Sequence, residues 1–337
     1  MYLSTLKLWN FRKYGLSDLS KKDSKASLTL KFHEGLNAIA GENDAGKSAI
    51  IDAIKLVLKT HSYEYIKVDL KDFYRDATKF KIELIFKGLR PEEAKNFTEW
   101  LGWEGTGQNA TPFLRLVLNV QRKGDFILPY ETKAGVDDDC YPFTAEAKAL
   151  LKTTYLKPLR DAESELIAKK NSRLSQILIG DGAFKDPVTH ELVDVFNRFS
   201  GELKSYFSSA SSNHEGTKIK NKIDRYIKEF YSEEYEVDFR TADGQLKSIL
   251  EKLTLALKDE VNPGLGSLNR LCMAAELLHL DKEGWTGLRL GLIEEIEAHL
   301  HPQAQMQVIE MLQKFTHIQL ILTTHSIKSK TQQPNSV

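Results

Sequence analysis

Residues 35–58 read GLNAIAGENDAGKSAIIDAIKLVL: an apolar β-prone run, an octapeptide with two glycines, and an amphipathic run in immediate succession. The octapeptide Gly41-Glu42-Asn43-Asp44-Ala45-Gly46-Lys47-Ser48 fits G-x-x-x-x-G-K-[ST]. Its flanks leave one geometry, strand then loop then helix, with Ile50, Ile51, Ile54, Leu56 and Leu58 near helical spacing. The glycines let the backbone curl, so that the N–H groups of the loop converge on an anion at the helix N-terminus. There Lys47 is expected to reach β- and γ-phosphates, and the Ser48 hydroxyl to ligate Mg²⁺. At average composition the pattern arises by chance in roughly one chain of this length in a hundred, and the flanking strand and helix make chance rarer still.

A phosphate loop needs a carboxylate to hold the metal and another to polarise water. The run LRLGLIEE, Leu288 to Glu295, is an apolar strand ending in two acids, costly to build unless they face a cation or solvent. Glu294 is therefore expected in the Mg²⁺ shell and Glu295 as the general base. IQLILTTHS, Ile318 to Ser326, repeats the design and delivers Thr323, Thr324, His325 and Ser326 to the same edge. His325 is expected to hydrogen-bond the γ-phosphate or the attacking water. His299 and His301 stand i,i+2, a spacing that suits no one-face metal pair, and are expected in a loop beside a neighbouring subunit. In VNPGLGSLNRLCMAAELLHL, a Pro/Gly turn precedes an apolar helix, with Ser267 the expected N-cap.

The remaining chain surrounds this site with β structure and one helical stretch. TLKLWNF (Thr5 to Phe11), SLTLKF (Ser27 to Phe32), the alternating FKIELIF (Phe80 to Phe86) and a hairpin over Phe113 to Glu131, turning at Lys123-Gly124-Asp125, predict an antiparallel layer. From Thr144 to about Leu257 the pattern is helical and charged, interrupted by TTYLKPLRD (Thr153 to Asp161) as a strand returning to the core. SSASSNHEGTK, Ser208 to Lys218, reads as a mobile connection between two helices. A further helix is expected from Pro302 to Phe315.

With 337 residues and 41% hydrophobic content the chain can bury a full core, on a length that suggests about two domains. Lys+Arg and Asp+Glu are both 47, so any surface for nucleic acid or membrane must be a local patch. Two distant cysteines, Cys140 and Cys272, support neither a disulfide framework nor a zinc site and fit a reduced cytosol. No apolar run approaches the roughly 18 residues of a membrane span, and the N-terminus lacks an export signal. The expected location is cytoplasmic.

Taken together, LKLWNFRKYG, GENDAGKS, GLGSLN, LIEEIEAHLHPQAQ and LILTTHS resemble the ABC-type ATPase heads of the SMC, Rad50 and RecF group, and most closely the overcoming-lysogenization-defect (OLD) family of ATP-dependent nucleases. The motifs run from Leu6 to Ser326. The resemblance implies an α/β ABC-type P-loop head with an antiparallel β layer, made of residues 1–161 and 248–330, interrupted by a helical insertion at 162–247 that supports dimerisation. It further implies that Arg12 touches the nucleotide, that Gly264, Gly266 and Ser267 form a signature loop acting on the partner subunit's ATP, that Glu297 to His301 form the D-loop, and that His325 is the switch histidine. The signature loop departs from the common LSGGQ, Ile296 stands where relatives often have proline, and Ile327 follows THS where proline is frequent.

OLD nucleases continue into a metal-binding Toprim domain, for which the residues after Ser326 are too short. The acids Asp137 to Asp139 lie in a polar turn without a preceding buried strand and read as solvated. The expectation is an ATP- and Mg²⁺-dependent ATPase portion of an OLD-family DNA endonuclease, from a bacterial anti-phage system such as Gabija or a retron-associated effector. It forms a homodimer or higher homo-oligomer, with DNA the partner of the full-length protein and a helicase or a retron the candidate partner. It cuts no DNA alone, and residues 331–337 precede the missing nuclease domain. The alternatives are a RecF-like DNA-binding ATPase complete in itself and a nucleotide-gated scaffold without turnover.

Overall fold

The computed structural model describes residues 1–337 except positions 20, 22–23, 63, 138–139, 158–164, 209–213, 232–234, 236, 242–243, 261, 299 and 326–337. The chain divides into two compact units, Met1–Ala162 with Val261–Val337, and Glu163–Glu260. The first opens with β1 (Tyr2–Trp9), β2 (Leu28–Lys31), β3 (Leu36–Ala40) and α1 (Lys47–Leu58). It continues through β4 (Lys79–Lys87), α2 (Pro91–Ala94), β5 (Leu101–Glu104), β6 (Thr111–Lys123), β7 (Phe126–Ile127), β8 (Thr132–Ala134), β9 (Tyr141–Pro142), α3 (Ala145–Leu150) and β10 (Thr154–Leu156).

The second unit holds α4 (Arg173–Ile179), α5 (Glu191–Phe207), α6 (Glu215–Phe230) and α7 (Leu246–Leu250). It runs to Glu260 rather than ending at Lys247, because the chain after α7 is tied back to its start. Asn171 N–H donates to Glu251, Ala168 N–H to the Thr254 hydroxyl, and Leu255 N–H to the Leu166 carbonyl. Of the connection expected at Ser208 to Lys218, positions 209–213 lie outside the described residues, and α6 has begun by Glu215. The first unit resumes with α8 (Leu265–Leu280), β11 (Leu290–Ile293), α9 (Pro302–Leu312) and β12 (Gln319–Thr324).

Two sheets form in the first unit. One is parallel, ordered β10-β11-β12-β3, and the other is antiparallel, following β2-β1-β4-β6-β8-β9 with β5 and β7 also on β6. Strands β11 and β12 are buried on both faces, which accounts for their continuous apolar runs rather than alternation. Helix α1 packs Ile50, Ile51 and Ile54 into one core with Leu6 of β1, Ile82 and Leu84 of β4, Leu116 of β6 and Leu292 of β11. On the other face of the parallel sheet, Ile293, Leu320 and Leu322 pack with Met273 and Leu277 of α8 and Ile309 and Leu312 of α9. Gln319 pins the two sheets together: its side chain accepts from Leu3 N–H at 2.7 Å and donates to Leu3 O at 2.8 Å.

The antiparallel layer also buries a charge cluster. Glu83 of β4 accepts from Lys7 of β1 at 2.9 Å and from Arg115 of β6 at 2.8 and 3.0 Å, both on neighbouring strands. The expected hairpin over 113–131 is much shorter than its sequence suggests. Only Arg122 and Lys123 pair with Ile127 and Phe126, after which the chain leaves and returns as β8 against Leu116 to Leu118. The strand expected at 153–161 is β10, with 158–161 outside the described residues. The helix expected to Phe315 ends at Leu312. Cys140 and Cys272 are buried and not disulfide-linked. No described helix is long and apolar enough to cross a membrane.

Candidate functional site

The carboxyl ends of β3, β11 and β12 come to one edge of the parallel sheet, the usual place for ligands in an α/β fold. The loop after β3 turns into α1 through Asp44 and Gly46, at φ 56° and 99°. At Gly46 a Cβ would come within 2.5 Å of Lys13 Cδ and Tyr14 Oη, so both conformation and space call for glycine. No side chain caps α1, which leaves its first N–H groups directed at the loop concavity. A cleft of about 540 Å³ opens there, lined by Arg12, Lys13, Asn43, Asp44, Gly46, Lys47, Ser48, Ala49, Glu295, Thr323 and His325. Gly41 joins the loop to the neighbouring strand by donating to the Thr324 carbonyl at 3.3 Å, and Ala45 N–H donates back to Glu42 O.

Lys47 is buried, and its amine donates to Gly41 O at 2.8 Å and Glu42 O at 2.7 Å while lying 3.0 Å from His325 Nδ1. Lysine has only donors, so Nδ1 accepts and Nε2 carries the ring proton. That proton faces Glu295, whose Oε1 is 3.7 Å from Nε2. Glu295 has φ 48°, a left-handed conformation unusual outside glycine, held by donation from its N–H to Thr323 Oγ1 at 3.1 Å. Glu297 receives the His325 N–H on Oε1, while its Oε2 is buried with no hydrogen-bond partner. Thus Lys47, Glu295 and His325, distant in sequence, meet in one cleft.

Glu294 points to the other side of the strand end. Its Oε2 accepts from the Tyr155 hydroxyl at 2.6 Å, and its Oε1 is buried without a hydrogen-bond partner. Burial raises the pKa of Glu294 above the ordinary carboxylate value, with the Asp52 charge adding to the rise and the Tyr155 and Ser48 hydroxyls and Lys55 pulling it back. An orphaned carboxylate oxygen beside a hydroxyl is a hard-oxygen donor set that fits a Mg²⁺ ion. The Tyr155 phenol is raised in turn, by burial first and then by its bond to Glu294.

Arg12 lines the cleft, but its charge is already engaged: Nε donates to Asp72 at 2.9 Å and Nη1 to Asp52 at 2.7 Å. Burial works against its charge, yet the two carboxylates more than offset it and the guanidinium pKa is raised. Sequence did not single out its neighbours. Lys13 donates to Asp44 O at 2.6 Å and Tyr14 to Gly46 O at 3.2 Å, bracing the loop from outside. Their signal was adjacency to Arg12 in NFRKYG. Tyr155 had none, being an aromatic in an apolar strand.

Gly264, Gly266 and Ser267 do not line this cleft. Gly264, not Ser267, is the N-cap of α8; Ser267 sits in the first turn, with its N–H donating to Gly264 O at 2.9 Å. The Pro/Gly turn lets the helix start earlier than a serine cap would set it. His301 is the N-cap residue of α9, and Asp137 uses its carbonyl to accept from Arg115. His299, Asp138, Asp139, Ser326 and the segment 331–337 lie outside the described residues. Among the described residues no cluster of three His, Cys, Asp or Glu side chains could hold a metal.

The chain is 23% identical to Septu protein PtuA of Bacillus thuringiensis over 314 residues, 89% of this chain and 68% of that protein. Its fold is similar to an SMC head solved with the C-winged helix domain of ScpA, with a TM-score of 0.54, 18% identity, and 97% and 90% of the two chains covered. An ATP-bound structure of the recombination mediator RecF gives a TM-score of 0.46 at 13% identity, over 98% of this chain and 95% of that one. Residues 36–328 match the family described as "AAA domain, putative AbiEii toxin, Type IV TA system". That match takes in the phosphate loop, both acids and His325, and the chain belongs to this family of AAA-type ATPase domains.

Proposed function

We propose that this chain binds ATP in the cleft above α1 and hydrolyses it with Mg²⁺, as the ATPase domain of an OLD-family DNA endonuclease in bacterial anti-phage defence. The observation that carries the reading is the meeting of Lys47, Glu295 and His325 at one uncapped helix N-terminus. The N–H groups of Asn43, Asp44, Gly46 and Ser48 cradle the phosphates, Gly41 and Ala45 shape the loop through their own N–H bonds to Thr324 O and Glu42 O, and Lys47 exchanges its loop carbonyls for β- and γ-oxygens. Arg12, held at the rim by Asp52 and Asp72, touches the nucleotide. Glu295 takes a proton from the attacking water, and His325 hydrogen-bonds the γ-phosphate or that water. Ser48 and Glu294 are the residues to hold Mg²⁺, which when bound neutralises charge developing on the phosphoryl oxygens.

Because Gly264, Gly266 and Ser267 lie off this cleft, we assign them to the ATP of a second copy, in a homodimer or higher oligomer. The helical insertion supports that assembly, and ATP state gates DNA access or the nuclease of the full-length protein. The likeness to Septu protein PtuA supports the defence setting. Phosphate release and light scattering test the reading in Glu295→Gln. Turnover is expected to fall by roughly 100-fold or more while an ATP-bound dimer accumulates. Unchanged phosphate release, with no ATP-dependent change of mass, contradicts it.

A further inference from the structure

We propose that Tyr155 is the positioning residue of the metal-binding carboxylate: its hydroxyl occupies Oε2 of Glu294, so that Oε1 is left for the ion. The inference rests on the Mg²⁺-dependent ATPase reading. Tyr155 is the central residue of β10 and pairs in parallel register with Leu292, two residues before Glu294. Strand pairing therefore carries the phenol alongside the carboxylate, and the 2.6 Å hydrogen bond follows.

The ring is held as well as the hydroxyl. Lys55 Nζ lies 3.7 Å from the ring centroid, and that ammonium is fixed by Asp52 at 3.4 Å and Glu64 at 3.6 Å. The cation on its face favours this placement of the phenol, which in turn favours one rotation of the carboxylate it touches. One oxygen is spent on the phenol; the other, Oε1, is buried with no hydrogen-bond partner. Leaving a carboxylate oxygen in that state is costly unless something of positive charge takes it. Outer-shell donors of this kind orient a ligand and tune its affinity for the ion.

Tyr155→Phe keeps the ring, its packing and the contact with Lys55, and removes only the hydroxyl. Binding of a fluorescent ATP analogue is titrated with Mg²⁺ and, separately, in EDTA, for wild type and variant. Electron paramagnetic resonance with Mn²⁺ in place of Mg²⁺ counts bound ion directly. The expected result is an increase of roughly tenfold in half-saturating Mg²⁺ and a matching loss of bound Mn²⁺, with the affinity in EDTA unchanged. A purely structural role moves the EDTA affinity equally, and that result overturns the inference, as does an unchanged Mg²⁺ half-saturation. Wild-type binding that ignores Mg²⁺ overturns the underlying reading as well.

Discussion

The amine of Lys47 lies 3.0 Å from Nδ1 of His325, joining the phosphate loop to the end of β12 across 278 residues of sequence. With its other two donor positions on Gly41 O and Glu42 O, the lysine is fully engaged by protein atoms. Phosphate oxygens must displace these partners. His325, released from Lys47, is then free to turn its Nε2–H from Glu295, 3.7 Å away, towards the γ-phosphate.

His325→Ala is therefore expected to lower ATP turnover by about 100-fold while changing ATP affinity only a few-fold, because proton and hydrogen-bond chemistry is lost but the phosphate cradle stays. Steady-state phosphate release and equilibrium binding, measured on the same preparation, separate the two effects. An equal loss in both assigns His325 to ground-state binding alone.

Gly46→Ala places a Cβ 2.5 Å from Lys13 and Tyr14 at a φ of 99°, so the loop must distort. We expect a destabilisation of about 1–3 kcal/mol by chemical denaturation together with loss of ATP binding. Retention of both near wild-type values shows that the loop relaxes more easily than its contacts imply.

Glu83 lies buried between Lys7 and Arg115. Burial raises its pKa, but the bonds from Lys7 and Arg115 outweigh that and hold it below the ordinary carboxylate value. A carboxylate depressed in the folded state contributes stability above its unfolded pKa and loses it as pH falls through the folded one. Glu83→Gln should thus cost about 3 kcal/mol near neutrality, by leaving Arg115 short of its carboxylate, and much less at an acid pH below the depressed folded pKa. Unfolding free energies compared at the two pH values check the sign.

Gln319→Ala removes both bonds to the Leu3 peptide and strands its N–H and carbonyl between the sheets. The expected cost is about 2–3 kcal/mol in denaturant unfolding, without change in ATP affinity.

Much of this site was legible because chemistry and periodicity coincide in it. GENDAGKS, LIEE and LILTTHS each place polar residues at the end of an apolar run, and parallel pairing of β3, β12 and β11 then aligns those ends. What escaped depends on contacts between distant strands or on backbone geometry. Tyr155 matters only because β10 pairs with β11, and Lys13 and Tyr14 only because the left-handed turn at Asn10 and Arg12 folds them onto Gly46. The turn at Lys123-Gly124-Asp125 is present, but a register with β8 at Leu116 to Leu118 wins over a long hairpin. Ser267 was misplaced as a cap because a turn that already contains glycine needs no serine to begin a helix.

Everything proposed for the cleft depends on ATP being held at the loop before α1 through Lys47. Isothermal titration of ATP with Mg²⁺ into wild type and Lys47→Ala tests that dependence most directly. Saturable binding by wild type and its loss, by at least roughly 100-fold, in the variant is the predicted result. Equal affinity in the two proteins contradicts the account.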